Sequence, residues 1–137
     1  MKRNSNVLID ETPLFVLPTL AKAIGLNEAI ILQHIHFWLG IVEQGGDRSK
    51  FKDGRWWVSK TYTEWQTNFS WWSAQTIQRA IQRLENIDLL LSKQYGSSDH
   101  DQTKWYTIDY DVLDHSLYVW SFFQYPWEYE RIEETPW

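Results

Sequence analysis

The chain of 137 residues contains no cysteine, which excludes disulfide bonds and thiolate-ligated metal sites. It has no run approaching the roughly 20 apolar residues that a membrane-spanning helix requires. The first six residues are mostly polar or basic, and they lack the apolar stretch and cleavage site of a secretory signal peptide. These absences predict a soluble protein of the cytoplasm that has no membrane partner.

Aromatic residues are abundant by contrast, because they make up 17% of the chain and include ten tryptophans. A chain of this length fits one domain with a true core. So many large rings indicate heavy core packing, a recognition surface, or both. The aromatic surplus is also the reason why we expect a homodimer.

Charge is unevenly distributed along the chain, whose formal net charge is −5. Residues 48–104 hold nine Lys and Arg against six Asp and Glu, whereas the remainder holds four against twelve. Phosphates respond to local charge rather than to the total. A locally basic face on an acidic protein is therefore compatible with a nucleic-acid partner.

Residues 73–86 carry the clearest pattern in the sequence. Ile77, Ala80, Ile81 and Leu84 fall on one stripe at about 100° per residue, and the polar residues fall opposite. Ser73 stands where an N-cap belongs. The spacing predicts an amphipathic helix with one buried and one polar face.

The neighbours of this helix predict the architecture. A shorter helix is expected over residues 61–68, a turn over 69–72, and strands over 89–95 and 103–109 around a polar turn. A strand at residues 54–58 would complete a three-stranded sheet. This order predicts a mainly α domain with a small β-sheet, a winged helix-turn-helix spanning residues 1–115 and followed by an acidic, aromatic tail over 116–137.

The N-terminal part of the domain predicts two further helices. The first spans residues 14–24 and stops at Gly25. The second is capped by Asn27 and runs to about Ile41, and because it is apolar nearly all round it is expected to be central and buried. Residues 43–53 predict a mobile polar loop, residues 7–9 are a strand candidate, and residues 111–115 predict a brief helical turn.

Catalytic and metal-binding patterns are weak throughout. His34 and His36 are two residues apart, which turns them about 200° from each other on a helix. Asp99, His100 and Asp101 lie in a polar turn with no obvious further ligand. No nucleophile and base are paired by spacing. We therefore expect no enzyme activity, no cofactor and no metal.

In a winged helix-turn-helix the second helix enters the major groove. Gln can pair with adenine and Arg with guanine, so the predicted base-reading residues are Gln75, Gln78, Arg79, Gln82 and Arg83. The predicted backbone contacts are Lys50, Lys52, Arg55 and Lys60. A plain solvated helix face is the alternative for both sets.

The wing and the tail indicate a different kind of partner. Asp99 and Asp101 at the wing tip would be repelled by DNA, and Trp120, Phe123 and Trp127 of the tail are the aromatic type that dominates protein interfaces. These five residues form a candidate protein-binding surface. The alternative for the tail is that its rings fold back onto the core.

Five stretches, which begin at Leu17, Gly54, Thr61, Thr76 and Thr103, carry a family resemblance: LPTLAKAIGLNEAI, GRWWV, TYTEW, TIQRAI and TKWYTIDY. Together they resemble the N-terminal winged-helix domain of replication initiators, or replisome organisers, from phages and mobile elements of Gram-positive bacteria, which are relatives of DnaD-type primosome proteins. The resemblance covers roughly residues 7–115. It implies binding to duplex origin DNA, self-association and recruitment of the replicative helicase machinery in a bacterial host.

Two features differ from the family pattern, namely the acidic wing and the acidic aromatic tail in place of a further domain. They leave two alternative functions open, both for a free-standing winged-helix protein of a phage. One is a transcriptional regulator. The other is an inhibitor that binds a host protein, such as an anti-CRISPR or other anti-defence factor.

Overall fold

The structure is a computed structural model that describes residue 11 and residues 13–94 and 103–115. Its helices are α1 (Pro18–Ile24), α2 (Leu26–Gly45), α3 (Tyr62–Asn68) and α4 (Ala74–Asn86), with residues 110–115 also helical and a 3-10 turn at Arg48–Lys50. Its strands are β1 (Phe51–Lys52), β2 (Arg55–Trp56), β3 (Val58–Lys60), β4 (Leu90–Lys93) and β5 (Lys104–Ile108).

The predicted fold class, mainly α with a small β-sheet, is confirmed. Strands β3, β5 and β4 form a three-stranded antiparallel sheet in that order. Its register sets Val58 opposite Tyr106 and Leu90 opposite Ile108. The helix–turn–helix order and the two strands that follow it lie where the sequence predicted them, but the third strand is Val58–Lys60 rather than residues 54–58.

Helix α2 is longer than expected and begins earlier. Gly25, not Asn27, occupies its N-cap with φ +106°, and the chain ends the helix at Gly46 with φ +69°. The φ of Gly25 favours glycine, and a side chain there would also force the carboxylate of Glu28 to shift. Residues 42–45 continue the helix through Gly45, and the chain leaves it only at Gly46.

The predicted polar loop is partly a hairpin, which corrects the expectation for residues 43–53. Strands β1 and β2 pair antiparallel, with Phe51 opposite Trp56 and Lys52 opposite Arg55. Asp53 and Gly54 both have positive φ, 55° and 75°. This is the geometry of a two-residue type I′ turn, for which Asp-Gly is a favoured sequence.

The core lies where α2, α4 and the three-stranded sheet meet. Trp57, Trp65 and Phe69 are among its largest fully buried side chains, together with Leu84 and Ile108. Burying an apolar side chain of this size contributes roughly 1.5 to 3 kcal/mol. Core packing therefore accounts for part of the aromatic surplus, while Phe15, Phe37, Trp38, Tyr62, Trp71 and Tyr110 are exposed.

Helix α2 is not buried all round, which corrects a second expectation. Its core side carries Ile31, Ile35 and Leu39, all buried. Phe37, Trp38 and Ile41 are exposed on its other side, and we call these three residues the α2 stripe. The sequence is apolar on both sides of the helix, but only one side is covered within the described residues.

Candidate nucleic-acid interface

Helix α4 is fixed to the rest of the molecule along its apolar side. Ile77, Ala80, Ile81 and Leu84 are all buried. At its start, the Ser73 hydroxyl accepts a hydrogen bond of 3.1 Å from the backbone N–H of Thr76, as predicted for an N-cap. The helix is thus a rigid element with a defined exposed face.

The exposed face of α4 brings together the five predicted base-reading residues. All of them are exposed: Gln75, Gln78, Arg79, Gln82 and Arg83. The first turn of α4 contains no acidic residue. Glu85 is half-buried and accepts a hydrogen bond of 2.9 Å from the Ser92 hydroxyl. We call the five exposed residues Gln75, Gln78, Arg79, Gln82 and Arg83 the α4 face.

Arg83 has a second partner that the sequence did not indicate. Its Nη1 lies 2.7 Å from Oε1 of Glu28, and Glu28 is only 5% exposed. This ion pair joins the start of α2 to the last turn of α4. The Glu28 side chain is buried whereas 66% of the Arg83 side chain is exposed. Loss of Arg83 leaves a buried carboxylate without its partner, so Arg83 has a structural role whatever it contacts outside the molecule.

The turn between α3 and α4 is tightly held. The N–H of Trp72 donates to the carbonyl of Phe69 at 3.1 Å, and Nε2 of Gln66 donates to the carbonyl of Trp72 at 2.7 Å. Helix α3 itself begins with a capping box between Thr61 and Glu64. The two helices are therefore connected through a fixed link.

Lys60 does not lie on the surface where a phosphate contact was predicted. It is 7% exposed, its Nζ donates to the side-chain oxygen of Asn68, and the ammonium lies 4.8 Å from the ring centroid of Trp65. Burial lowers the pKa of Lys60 below its ordinary value. Its position in β3 explains this, because Lys60 shares a strand face with buried Val58.

The other predicted backbone contacts lie in and beside the β1–β2 hairpin. Arg55 lies 3.6 Å from the carboxylate of Asp109 and lines a cleft with His36 and Tyr110, to which no residue of α4 contributes within the described chain. Lys52 is exposed, and Lys50 is half-buried. The structure thus unites the α4 face on one helix but separates it from Arg55.

The two histidines of α2 face different surroundings, as their spacing predicted. Nδ1 of His36 lies 2.8 Å from the Tyr110 hydroxyl. The His34 ring lies among Trp38, Trp65 and Phe69, and its Nε2 has no hydrogen-bond partner among the described residues. Burial, followed by the nearby charge of Lys60, lowers the pKa of His34 to about 4.

The candidate protein-binding residues Asp99, Asp101, Trp120, Phe123 and Trp127 lie outside the described residues. Over residues 13–94 and 103–115, no group of three or more His, Asp and Glu side chains is arranged to hold a metal ion. None of the helices in the described part of the chain has both the length and the apolar character to cross a membrane.

Two exposed features of the surface were missed by sequence reasoning. One is the α2 stripe, and the other is Trp71, which is 57% exposed in the turn before α4. The second could have been suspected, because a turn holding two adjacent tryptophans has room to bury only part of them. The described elements define an α+β protein in which helix α4 exposes a polar face.

No protein-family model, no curated protein and no solved structure matches the chain.

Proposed function

We propose that this protein is a winged helix-turn-helix protein that binds duplex DNA by placing α4 in the major groove. One observation carries the proposal, namely the α4 face. The amphipathic helix α4 follows α3 through a fixed turn. It exposes glutamine and arginine side chains and has no acidic residue in its first turn. That is the residue chemistry of base reading in a groove wide enough for a helix.

The roles within the α4 face follow from position and pairing. Gln75 and Gln78 are nearest the start of the helix, which is the part that contacts base edges in helix-turn-helix proteins. Arg79 extends from the middle of the helix toward guanine or phosphate. Gln82 and Arg83 lie further along, and Arg83 reaches DNA only with the part of its guanidinium that Glu28 does not hold.

The biological setting in the proposal rests on the family resemblance. A protein of replication-initiator type from a phage or mobile element acts in the cytoplasm of a bacterial host. It binds origin DNA as a homodimer and recruits the helicase machinery. The α2 stripe supports self-association, since residues 29–42 contain no Asp, Glu, Lys or Arg and three large apolar side chains of this segment are exposed.

The proposed function is tested by binding of the intact chain to labelled duplex DNA over a series from about 50 to about 200 mM salt. We expect affinity to fall with salt and one sequence to be preferred over the non-specific background. Arg79→Ala is the informative variant, because Arg79 has no ion pair among the described residues. No binding at the lowest salt would exclude the proposal.

A double change of Arg79 and Arg83 to alanine is not a clean test of DNA contact, because Arg83 is also paired with Glu28. Loss of DNA binding in that double variant could follow from the uncompensated Glu28 carboxylate rather than from a lost DNA contact. Gln78→Ala with Arg79→Ala is the clean double variant, since both side chains are exposed and neither is paired in the described structure. We expect it to abolish sequence preference while the unfolding midpoint stays unchanged.

Two further candidates are a transcriptional regulator, which would also use the α4 face, and an inhibitor that binds a protein of a host defence system. The α2 stripe and the net charge of −5 favour the inhibitor, because a protein partner tolerates both. Light scattering over a range of concentrations separates the two uses of the stripe. A dimer mass that Ile41→Glu reduces to a monomer supports self-association, whereas a monomer at high micromolar concentration removes it.

A further inference from the structure

Trp71 is a large apolar side chain that stays at the surface although it is held firmly in place. Its ring lies 5.5 Å from that of Phe69 at an interplanar angle of 90°, and 5.3 Å from that of Trp72. Phe69 is fully buried, and Trp72 is fixed by the hydrogen bonds of the turn. The ring is therefore anchored at its base while more than half of its surface faces solvent.

The place of Trp71 in the chain puts it beside the α4 face. It precedes the N-cap Ser73 by two residues and Gln75 by four. Four residues span at most about 14 Å, which is close to the width of a major groove. The Trp71 Cα therefore lies within about 14 Å of that of Gln75, a separation that one duplex seated on the first turn of α4 can span.

The α4 face carries few positive charges, which favours an additional contact to DNA that is not ionic. Arg79 and Arg83 are its two cations, and Arg83 is partly engaged by Glu28. Electrostatic affinity for DNA scales with the number of phosphates that are neutralised. With only two cations on the α4 face, a neighbouring contact that does not depend on salt adds affinity that these cations do not supply.

We propose that Trp71 is the non-ionic anchor of the DNA site. Its indole face packs on deoxyribose at the edge of the major groove, and its Nε1–H donates to a phosphate oxygen. The ring suits this place, because indole combines a large apolar body with a single N–H donor. This inference rests on the proposed function of α4 and names the contact beside it.

The experiment compares variants of the intact chain by fluorescence anisotropy with one labelled duplex over a salt series. Trp71→Ala weakens binding at least about tenfold at every salt concentration and leaves the salt slope unchanged. Trp71→Phe keeps the ring and loses the donor, so it weakens binding about threefold. Arg79→Ala instead lowers the salt slope by about 0.9.

Phe15→Ala is the matched control, because Phe15 is an exposed aromatic residue that precedes α1. We expect its affinity to stay within twofold of the unaltered chain. If Trp71→Ala proves unstable, Trp71→Phe carries the test, since it keeps the contacts to Phe69 and Trp72. Affinity of Trp71→Phe equal to that of the unaltered chain overturns the phosphate bond.

The remaining outcomes separate this inference from the proposed function. If the intact chain binds duplex DNA and a folded Trp71→Ala binds within twofold of it, the anchor is wrong and the function of α4 stands. If Trp71→Ala changes the salt slope, the contact is ionic in origin and the anchor is again wrong. If the intact chain binds no duplex at the lowest salt, both are overturned.

Discussion

Helices α2 and α4 pack against each other in the core, but they meet solvent in opposite ways. Helix α4 buries four apolar residues and exposes glutamine and arginine. Helix α2 buries an equally apolar side and exposes Phe37, Trp38 and Ile41. The comparison shows that apolar residues on a helix do not by themselves indicate burial. The exposed side of α2 is as apolar as a helix side that faces a core.

The same comparison separates two kinds of partner. A polar helix face of glutamine and arginine donors suits a hydrated groove lined by acceptors. An exposed stripe without charge suits a second apolar surface. The α4 face therefore suits the proposed DNA partner and the α2 stripe suits a protein partner, and the predictions below test how sharply the two helices differ.

The largest effect is expected within α2 itself. Ile35→Ala should lower the free energy of unfolding by about 2 to 5 kcal/mol, because Ile35 has no solvent exposure and its loss leaves a cavity. Phe37→Ala, two residues along, should change it by less than about 0.5 kcal/mol in dilute protein. Urea denaturation measures both. A large loss for Phe37→Ala that grows with protein concentration would show that another copy covers the stripe.

The next effect concerns the pair that joins the two helices. Arg83→Ala should lower the free energy of unfolding by about 1 to 3 kcal/mol, because it leaves the Glu28 carboxylate buried without its partner. Arg79→Ala is the matched control on the same helix and should have less than about 0.5 kcal/mol of effect. Equal urea midpoints for the two variants would mean that water solvates Glu28 as well as Arg83 does.

A smaller effect is expected at the start of α4. Ser73→Ala removes the side chain that accepts from the N–H of Thr76, at a cost of about 1 kcal/mol. Ser70→Ala, in the same turn and exposed, should cost less than about 0.5 kcal/mol. Thermal unfolding followed by circular dichroism compares the two variants. Helix α2 has no comparable side-chain cap, because its N-cap residue is Gly25.

The smallest effect is the contribution of His34 to the pH dependence of stability, and it is absent at neutral pH. The unfolded chain protonates His34 near the ordinary pKa of 6.5, whereas the folded chain resists protonation until about pH 4. The unfolded state therefore binds the proton first, and the free energy of unfolding should fall as pH drops through that window. Urea denaturation at several pH values measures the slope, and His34→Gln should flatten it. A slope that His34→Gln leaves unchanged would assign the pH dependence to other groups.

The sequence predicted the parts of the fold that depend on local patterns. The buried stripe of α4, its Ser73 cap and the two strands after it follow from spacings within a few residues. The ion pair between Glu28 and Arg83 could not be predicted this way, because its partners are 55 positions apart and meet only through packing of α2 on α4. The expected use of Arg83 as a base reader is accordingly incomplete.

Two differences between expectation and structure had a local signal that was overlooked. Asp53-Gly54 is a favoured type I′ turn sequence, and it lies between residues that pair as β1 and β2. Lys60 stands two residues after Val58, so strand alternation puts both on the same buried face once β3 is placed correctly. The burial of one side of α2 alone had no such signal, since nothing in its own sequence says what covers a helix.

The contact between Glu28 and Arg83 also bears on the entropy of recognition. Nη1 of the guanidinium bonds to Glu28, while 66% of the side chain remains open to solvent. A free arginine loses up to roughly 2 kcal/mol of rotamer freedom when it is immobilised. For Arg83 much of that loss has already occurred during folding, so a duplex that meets the α4 face encounters a guanidinium whose orientation is set in advance. If α4 binds DNA as proposed, the Glu28 carboxylate on α2 would lower the cost of ordering the Arg83 side chain.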